Sequence, residues 1–170
     1  MQQKESTYTK QCLDVLQQQE DALQYKTFGC AEALALGNIL AELAQEYDRG
    51  VGVSITREED GLVLFQYMMD DKALRNLGFM EGKRKAALAS SHCSLWPYVE
   101  HSLTGKWQEI FDAYPQMLPC GGAFPIRVDN AWVATLAVSG LHEGKDHELT
   151  VRALSKALAV EVPAFPGEAI

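Results

Sequence analysis

The sequence is poor in the features that announce a function. Its four cysteines, Cys12, Cys30, Cys93 and Cys120, form no C-x-x-C pair, which removes the usual zinc and dithiol signatures. With no secretory context, these thiols are expected to be reduced and mostly buried. No apolar run approaches the ~20 residues that cross a bilayer. The opening MQQKESTYTKQ lacks the apolar core of a signal peptide, so a cytoplasmic protein with no membrane partner is expected. Basic residues are outnumbered, 15 Lys and Arg against 23 Asp and Glu, for a net charge of −8. That balance argues against a nucleic-acid partner, whose phosphates demand a basic surface. The one basic cluster, Lys83-Arg84-Lys85, suits a small anion at most. Repeats, low-complexity tracts and linkers are also missing. A chain of 170 residues is then expected to be one domain, its core over about 9–160 and a short loose tail at 161–170.

What is present is clear periodicity. Leu13, Leu16 and Leu23 predict a helix over 9–24, and Leu36, Ile39, Leu40, Leu43 and Tyr47 a second over 31–47. Gly50 is placed for a left-handed helix end. Val51, Val53 and Ile55 then alternate with small or polar residues, and Leu62–Met69 follows a polar turn, which reads as a hairpin. A third helix is expected over 72–92. Pro97 should break the chain before a short amphipathic piece holding Trp107, Ile110 and Phe111. Phe124–Val128 and Trp132–Val138 flank Asp129-Asn130, residues suited to a tight turn. On the longer strand Trp132, Ala134, Leu136 and Val138 are expected on one face. Val133, Thr135, Ala137 and Ser139 take the other, small enough for a helix or ligand to come close. A last helix starts near Asp146 as N-cap, with Val151, Leu154 and Leu158 as its stripe. The order α-α-β-β-α-(α)-β-β-α implies an α+β fold, an antiparallel sheet covered by helices.

Chemistry is less legible. Gly121-Gly122 precedes a strand and no Gly-Lys-Ser/Thr follows, so it is neither a phosphate loop nor a dinucleotide fingerprint. A turn or bulge is the simpler reading, and close approach of backbone N–H groups to an anion is the functional one. His147, in the first turn of its helix, is disfavoured as an imidazolium by the positive helix end. A neutral ring there is a candidate iron ligand or hydrogen-bond partner, although a surface histidine is the commoner case. His142 offers it no zinc partner at helical spacing. Lys83 and His92 fall on different faces of a straight helix. Cys93 beside His92 is not a catalytic dyad, and Ser139-Gly140 lacks the G-x-S-x-G elbow.

Taken together, LQQQEDALQYKTFGCAEALALGNILAEL, VGVSI, Lys83 with HCS, GGAFPI and VSGL with DHELTVRAL resemble, in order and spacing, an uncharacterised family of cytosolic proteins. That family is related to HbpS-like haem-degrading domains, which include GlcG-type proteins and the C-terminal domain of some cobalamin adenosyltransferases. The resemblance runs over about residues 9–158 and implies a profilin-like fold. Distant members bind haem, some degrade it, and many form homo-oligomers.

By this resemblance, Lys83 matches the lysine of the middle helix, and His92 and Ser94 the outer positions of a His-Ser-Ser pattern. Gly121, Gly122 and Pro125 match the glycine-rich start of a strand. Ser139, Gly140, Asp146 and His147 match the closing motif. Two departures stand out: the usual tryptophan before the lysine is missing near Phe79, and Cys93 replaces a serine. The expectation is a homo-oligomer that binds a small molecule, with haem or another anionic ligand as candidate. Lys83 would meet negative charge, the Gly121 and Gly122 amides would line the site, and His147 or His92 would ligate iron. The alternative is an interaction protein whose motif residues hold an oligomer and dock a protein partner. A hydrolase acting through Ser139 or Cys93 ranks last, because no general base is assignable.

Overall fold

The computed structural model describes residues 8–142 and 144–167, apart from the side chain of Trp107. Two helices come first, α1 (Lys10–Ala22) and α2 (Cys30–Leu43), the second ending in a tight turn at Ala44–Glu46. The hairpin β1 (Gly52–Arg57) and β2 (Val63–Met68) leads into α3 (Leu74–Ser90). Short helices α4 (Trp96–Leu103) and α5 (Ile110–Ala113) precede a second hairpin, β3 (Ala123–Val128) and β4 (Ala131–Ser139), and α6 (Lys145–Leu158) follows. The four strands form one antiparallel sheet in the order β2-β1-β4-β3. This is the expected α+β architecture.

Alternation along the strands explains the layering. Val51, Val53 and Ile55, with Leu136 and Val138, join the large core beneath α1, α2 and α6. Leu16, Leu36, Phe124 and Leu136 are fully buried there, each contributing about 1.5–3 kcal/mol by leaving water. On the opposite face Ala123 and Ala137 meet Met80 and Ala87 of α3. The small residues of β4 therefore admit a helix. Asp129 and Asn130 adopt φ of 49° and 64°, the left-handed pair that a two-residue hairpin turn needs.

The outer edge of β3 is closed piece by piece. Ser94 N donates to Ala123 O at 2.9 Å, and Ser94 Oγ accepts from Ala123 N at 2.9 Å. Tyr25 N donates to Arg127 O at 2.9 Å. Between them stands Pro125, paired opposite Thr135. The alternation set by the Val138 N to Gly122 O bond turns its nitrogen outward, where a missing N–H leaves no unpaired donor.

Several local expectations are corrected. Pro97 starts a helix, standing in the first turn of α4, where its missing N–H breaks no bond. Gly50 has no left-handed φ. Its N–H instead donates to Asp71 Oδ2 at 3.1 Å, so close that a Cβ would collide with that carboxylate. A register shift opposite Ile126 and Arg127 makes Val133 the extra residue of a bulge. Trp132 is thereby turned onto the Thr135 face, where its Nε1 donates to Thr135 Oγ1 at 2.9 Å. The segment after α6 is docked, not loose: Val160, Val162 and Phe165 pack on the core. Residues 168–170 of the expected tail lie outside the described residues. Of the thiols, Cys12 and Cys93 are buried and Cys30 is exposed.

Candidate functional site

The motif residues separate into three neighbourhoods. The first is a buried polar knot between α3, β3, β4 and α6. Lys83, 3% exposed, donates from Nζ to Val138 O at 2.9 Å and to Asp146 Oδ2 at 2.7 Å. The other oxygen of Asp146 accepts from Leu141 N at 3.0 Å. Both charges are thus compensated inside the fold, as burial requires. Gly122 lies beneath the ammonium with φ 133°. A Cβ there would stand 2.8 Å from Lys83 Nζ and collide with Val138 O, so glycine is demanded twice over. Thr150 Oγ1 closes the knot by donating to Asp146 O at 2.8 Å.

Asp146 therefore is not the N-cap. Gly144 holds that position in a left-handed conformation, and the carboxylate points back to neutralise Lys83. Ser139 Oγ, also buried, accepts from Asn76 Nδ2 at 3.3 Å. Gly140 takes φ 146°, with Gly50 O against the position of its absent Cβ. These two close the strand end beside the knot, and Gly121 is buried next to it.

The second neighbourhood surrounds His92, which sits beyond α3 in the connection to α4. Its Nδ1 lies 2.8 Å from Glu20 Oε2, and its ring stacks on Trp96 with centroids 3.7 Å apart. Glu20, fully buried, also accepts from Cys93 N at 3.1 Å and Arg127 Nη1 at 3.3 Å. Ser94 ties the edge of β3 as described, its hydroxyl also donating to Cys120 O at 2.5 Å.

The third is His147. Helical geometry places neighbours about 100° apart, so His147 turns away from the knot that Asp146 joins. The expectation of a surface residue is overturned: the ring is 1% exposed. Burial alone pulls its pKa down from 6.5 to about 4, so it is neutral near pH 7. The neutral state matches the sequence reading, but its cause is desolvation and not the helix end. His147 Nε2 lies 2.9 Å from Gln19 Oε1, whereas His147 Nδ1 is buried without a partner among the described residues. An unsatisfied buried acceptor costs about 1–3 kcal/mol.

His147 lines a groove of about 1100 Å³ between α6 and residues 161–167, just above the ~300–1,000 Å³ typical of small-molecule sites. Leu43, Val151, Val162 and Phe165 supply apolar walls. Along the same face of α6, Arg152 Nη2 is held by Glu46 at 2.5 Å, and Glu148 accepts from Tyr47 Oη at 2.7 Å. Lys145 and Lys156 also line the groove and form no ion pair among the described residues. Neither Lys83 nor Gly121 reaches this groove. No group of three or more His, Cys, Asp or Glu that could hold a metal occurs among the described residues, nor a helix long and apolar enough to cross a membrane.

Sequence reasoning missed Gln19 and Glu20, which hold His147 and His92 respectively. A signal existed. Gln19 falls three residues after Leu16 and four before Leu23, inside the apolar stripe of α1, and a polar residue there must have a buried partner.

Comparison with known proteins agrees with this architecture. The family described as "Haem degrading protein HbpS-like" matches residues 28–155. A UPF0303 protein of Rhizobium leguminosarum bv. trifolii is 31% identical over 155 residues, covering 90% of this chain and 93% of that protein. The crystal structure of Ybr137w superposes with a TM-score of 0.76 at 25% identity, over 86% of this chain and 88% of that one. A crystal structure of a PduOC–haem complex superposes at 0.65 with 17% identity, over 81% and 99% of the two chains, a likeness of fold.

Proposed function

The chain belongs to the HbpS-like family, and from that premise we propose that it binds a small, largely apolar ligand carrying acidic groups in the groove between α6 and residues 161–167. Haem is the leading candidate, given the family description and the haem complex of a protein with this fold. The observation that carries the reading is His147 itself: a neutral ring that lines the groove and keeps an Nδ1 closed to solvent and without a hydrogen-bond partner among the described residues. A lone pair in that state can ligate iron or accept a hydrogen bond. Val151, Val162 and Phe165 suit a flat apolar body, while Lys145 and Lys156 suit its carboxylates. Haem, bound there, would supply iron for redox or oxygen chemistry; the protein's part is to hold the ring and limit water around His147.

In this reading Lys83, Gly121, Gly122, Pro125, Ser139, Gly140 and Asp146 support the site by building the sheet end that carries α6. His92 and Ser94 are the competing location. The protein acts as a cytoplasmic homo-oligomer, and Leu62, Val63 and Tyr67, exposed on the β2 side of the sheet, with Leu74 and Phe79 of α3, suit a subunit contact. The same apolar surface favours the second reading, an interaction protein without small-molecule activity. Haemin titration followed at the Soret band separates the two. A shift in the wild type that is lost in His147→Ala and kept in His92→Ala is expected. The absence of any shift leaves the interaction reading, and loss in His92→Ala alone moves the site away from the groove.

A further inference from the structure

The geometry points to Gln19 as a positioning residue that fixes the tautomer of His147, a residue lining the groove, and thereby the bonding character of its buried Nδ1. Pro163 sets the first constraint. Its carbonyl oxygen can only accept, so the Gln19 atom 2.8 Å from it is the amide nitrogen. Gln19 Oε1 is therefore the atom facing His147, and it too can only accept. His147 Nε2, 2.9 Å away, must carry the proton. A neutral imidazole has one ring proton, so His147 Nδ1 presents a bare lone pair, and nothing among the described residues meets it.

Nδ1 is closed to solvent, so a ligand group meets it only after the ring or its cover shifts, and must then bring a donor hydrogen or a metal centre. A carboxylate would place lone pair against lone pair. Acidic groups are directed instead to Lys145 and Lys156, which line the same groove. Pro163 belongs to the segment that forms the other wall. Docking of that segment and the choice of tautomer are thus one event: the carbonyl that orients Gln19 arrives with the wall.

The consequence for ligands rests on the groove being the binding site, but the tautomer is measurable without any ligand. In ¹⁵N-histidine-labelled protein near neutral pH, the His147 resonances, assigned by their loss in His147→Phe, should show a protonated Nε2 and a pyridine-like Nδ1. Averaged signals or the opposite tautomer in the wild type would overturn the inference. Gln19→Leu removes the acceptor and should give averaged signals, while Pro163→Ala, which keeps the carbonyl, should leave the single tautomer. A fixed Nε2–H form persisting in Gln19→Leu refutes the role of Gln19. If that variant does not fold, the wild-type spectrum still decides. Haemin added to the labelled wild type then tests the site. A fixed tautomer with unperturbed His147 signals removes the proposed ligand and leaves the positioning role; perturbed signals on an averaged ring do the reverse.

Discussion

Acid should weaken this fold through one residue before its carboxylates are protonated. His147 is held neutral by burial, its pKa pulled from 6.5 to about 4. Between those values the unfolded chain binds a proton that the folded chain refuses, so stability falls as pH drops through about 6.5 and the loss levels off below about 4. Every tenfold loss of proton affinity on folding corresponds to about 1.4 kcal/mol. The loss attributable to His147 is therefore about 2 kcal/mol between about pH 7 and pH 5, reaching about 3 kcal/mol near pH 4. That is a large share of a typical domain stability of ~5–15 kcal/mol. Urea unfolding of wild type and His147→Phe at several pH values isolates the effect. The variant loses the Gln19 partner at every pH, which lowers its stability by about 1–3 kcal/mol, but it cannot titrate at this position. The two curves should therefore converge by about 2 kcal/mol on acidification from about pH 7 to pH 5. Parallel curves would refute the account of a buried, neutral, poorly solvated ring.

Two further outcomes probe the knot beside it. Lys83→Met and Asp146→Leu each leave an uncompensated buried charge, since Lys83 and Asp146 pair at 2.7 Å with side chains 4% and 9% exposed. Each should lower stability by about 3–5 kcal/mol in urea or thermal unfolding, and the double variant by much less than the sum. Gly122→Ala should be among the most harmful small substitutions. It combines φ 133° with a Cβ 2.8 Å from Lys83 Nζ, and a loss of at least about 2 kcal/mol, visible as a lowered Tm, is expected.

What was legible in the chain was whatever depends on neighbours in sequence. The alternation of Val51, Val53 and Ile55 and the turn at Asp129-Asn130 needed only local chemistry, and the structure contains both. Trp132 went to the wrong face because a bulge at Val133 is decided by pairing with β3, not by β4 itself. Asp146 looked like a cap because capping is local, whereas its real partner, Lys83, is 63 residues away. His147 looked exposed because nothing near it in sequence says what covers it. The covering groups are Gln19, 128 residues distant, and Phe165, whose ring centroid is 6.0 Å from the imidazole. Periodicity can flag a buried polar residue such as Gln19, but it does not name the distant partner, and the placement of His147 depends on that partner.

That distribution also bears on where a ligand can sit. Two adjacent pairs, Gln19-Glu20 on α1 and Asp146-His147 on α6, divide the work between neighbours that a helix turns about 100° apart. Glu20 and Asp146 are each saturated: one by Cys93 N, Arg127 and His92, the other by Lys83 and Leu141 N. A ligand arriving at either carboxylate's cation must first break a buried pair, at a cost of several kcal/mol. His147 Nδ1 asks for no such exchange, because among the described residues it has no partner to lose. A ligand that supplies one recovers the penalty already built into the folded state. Lys83 is thus poorly placed to attract an anion despite its charge, whereas the neutral histidine one residue beyond Asp146 keeps bonding capacity to offer.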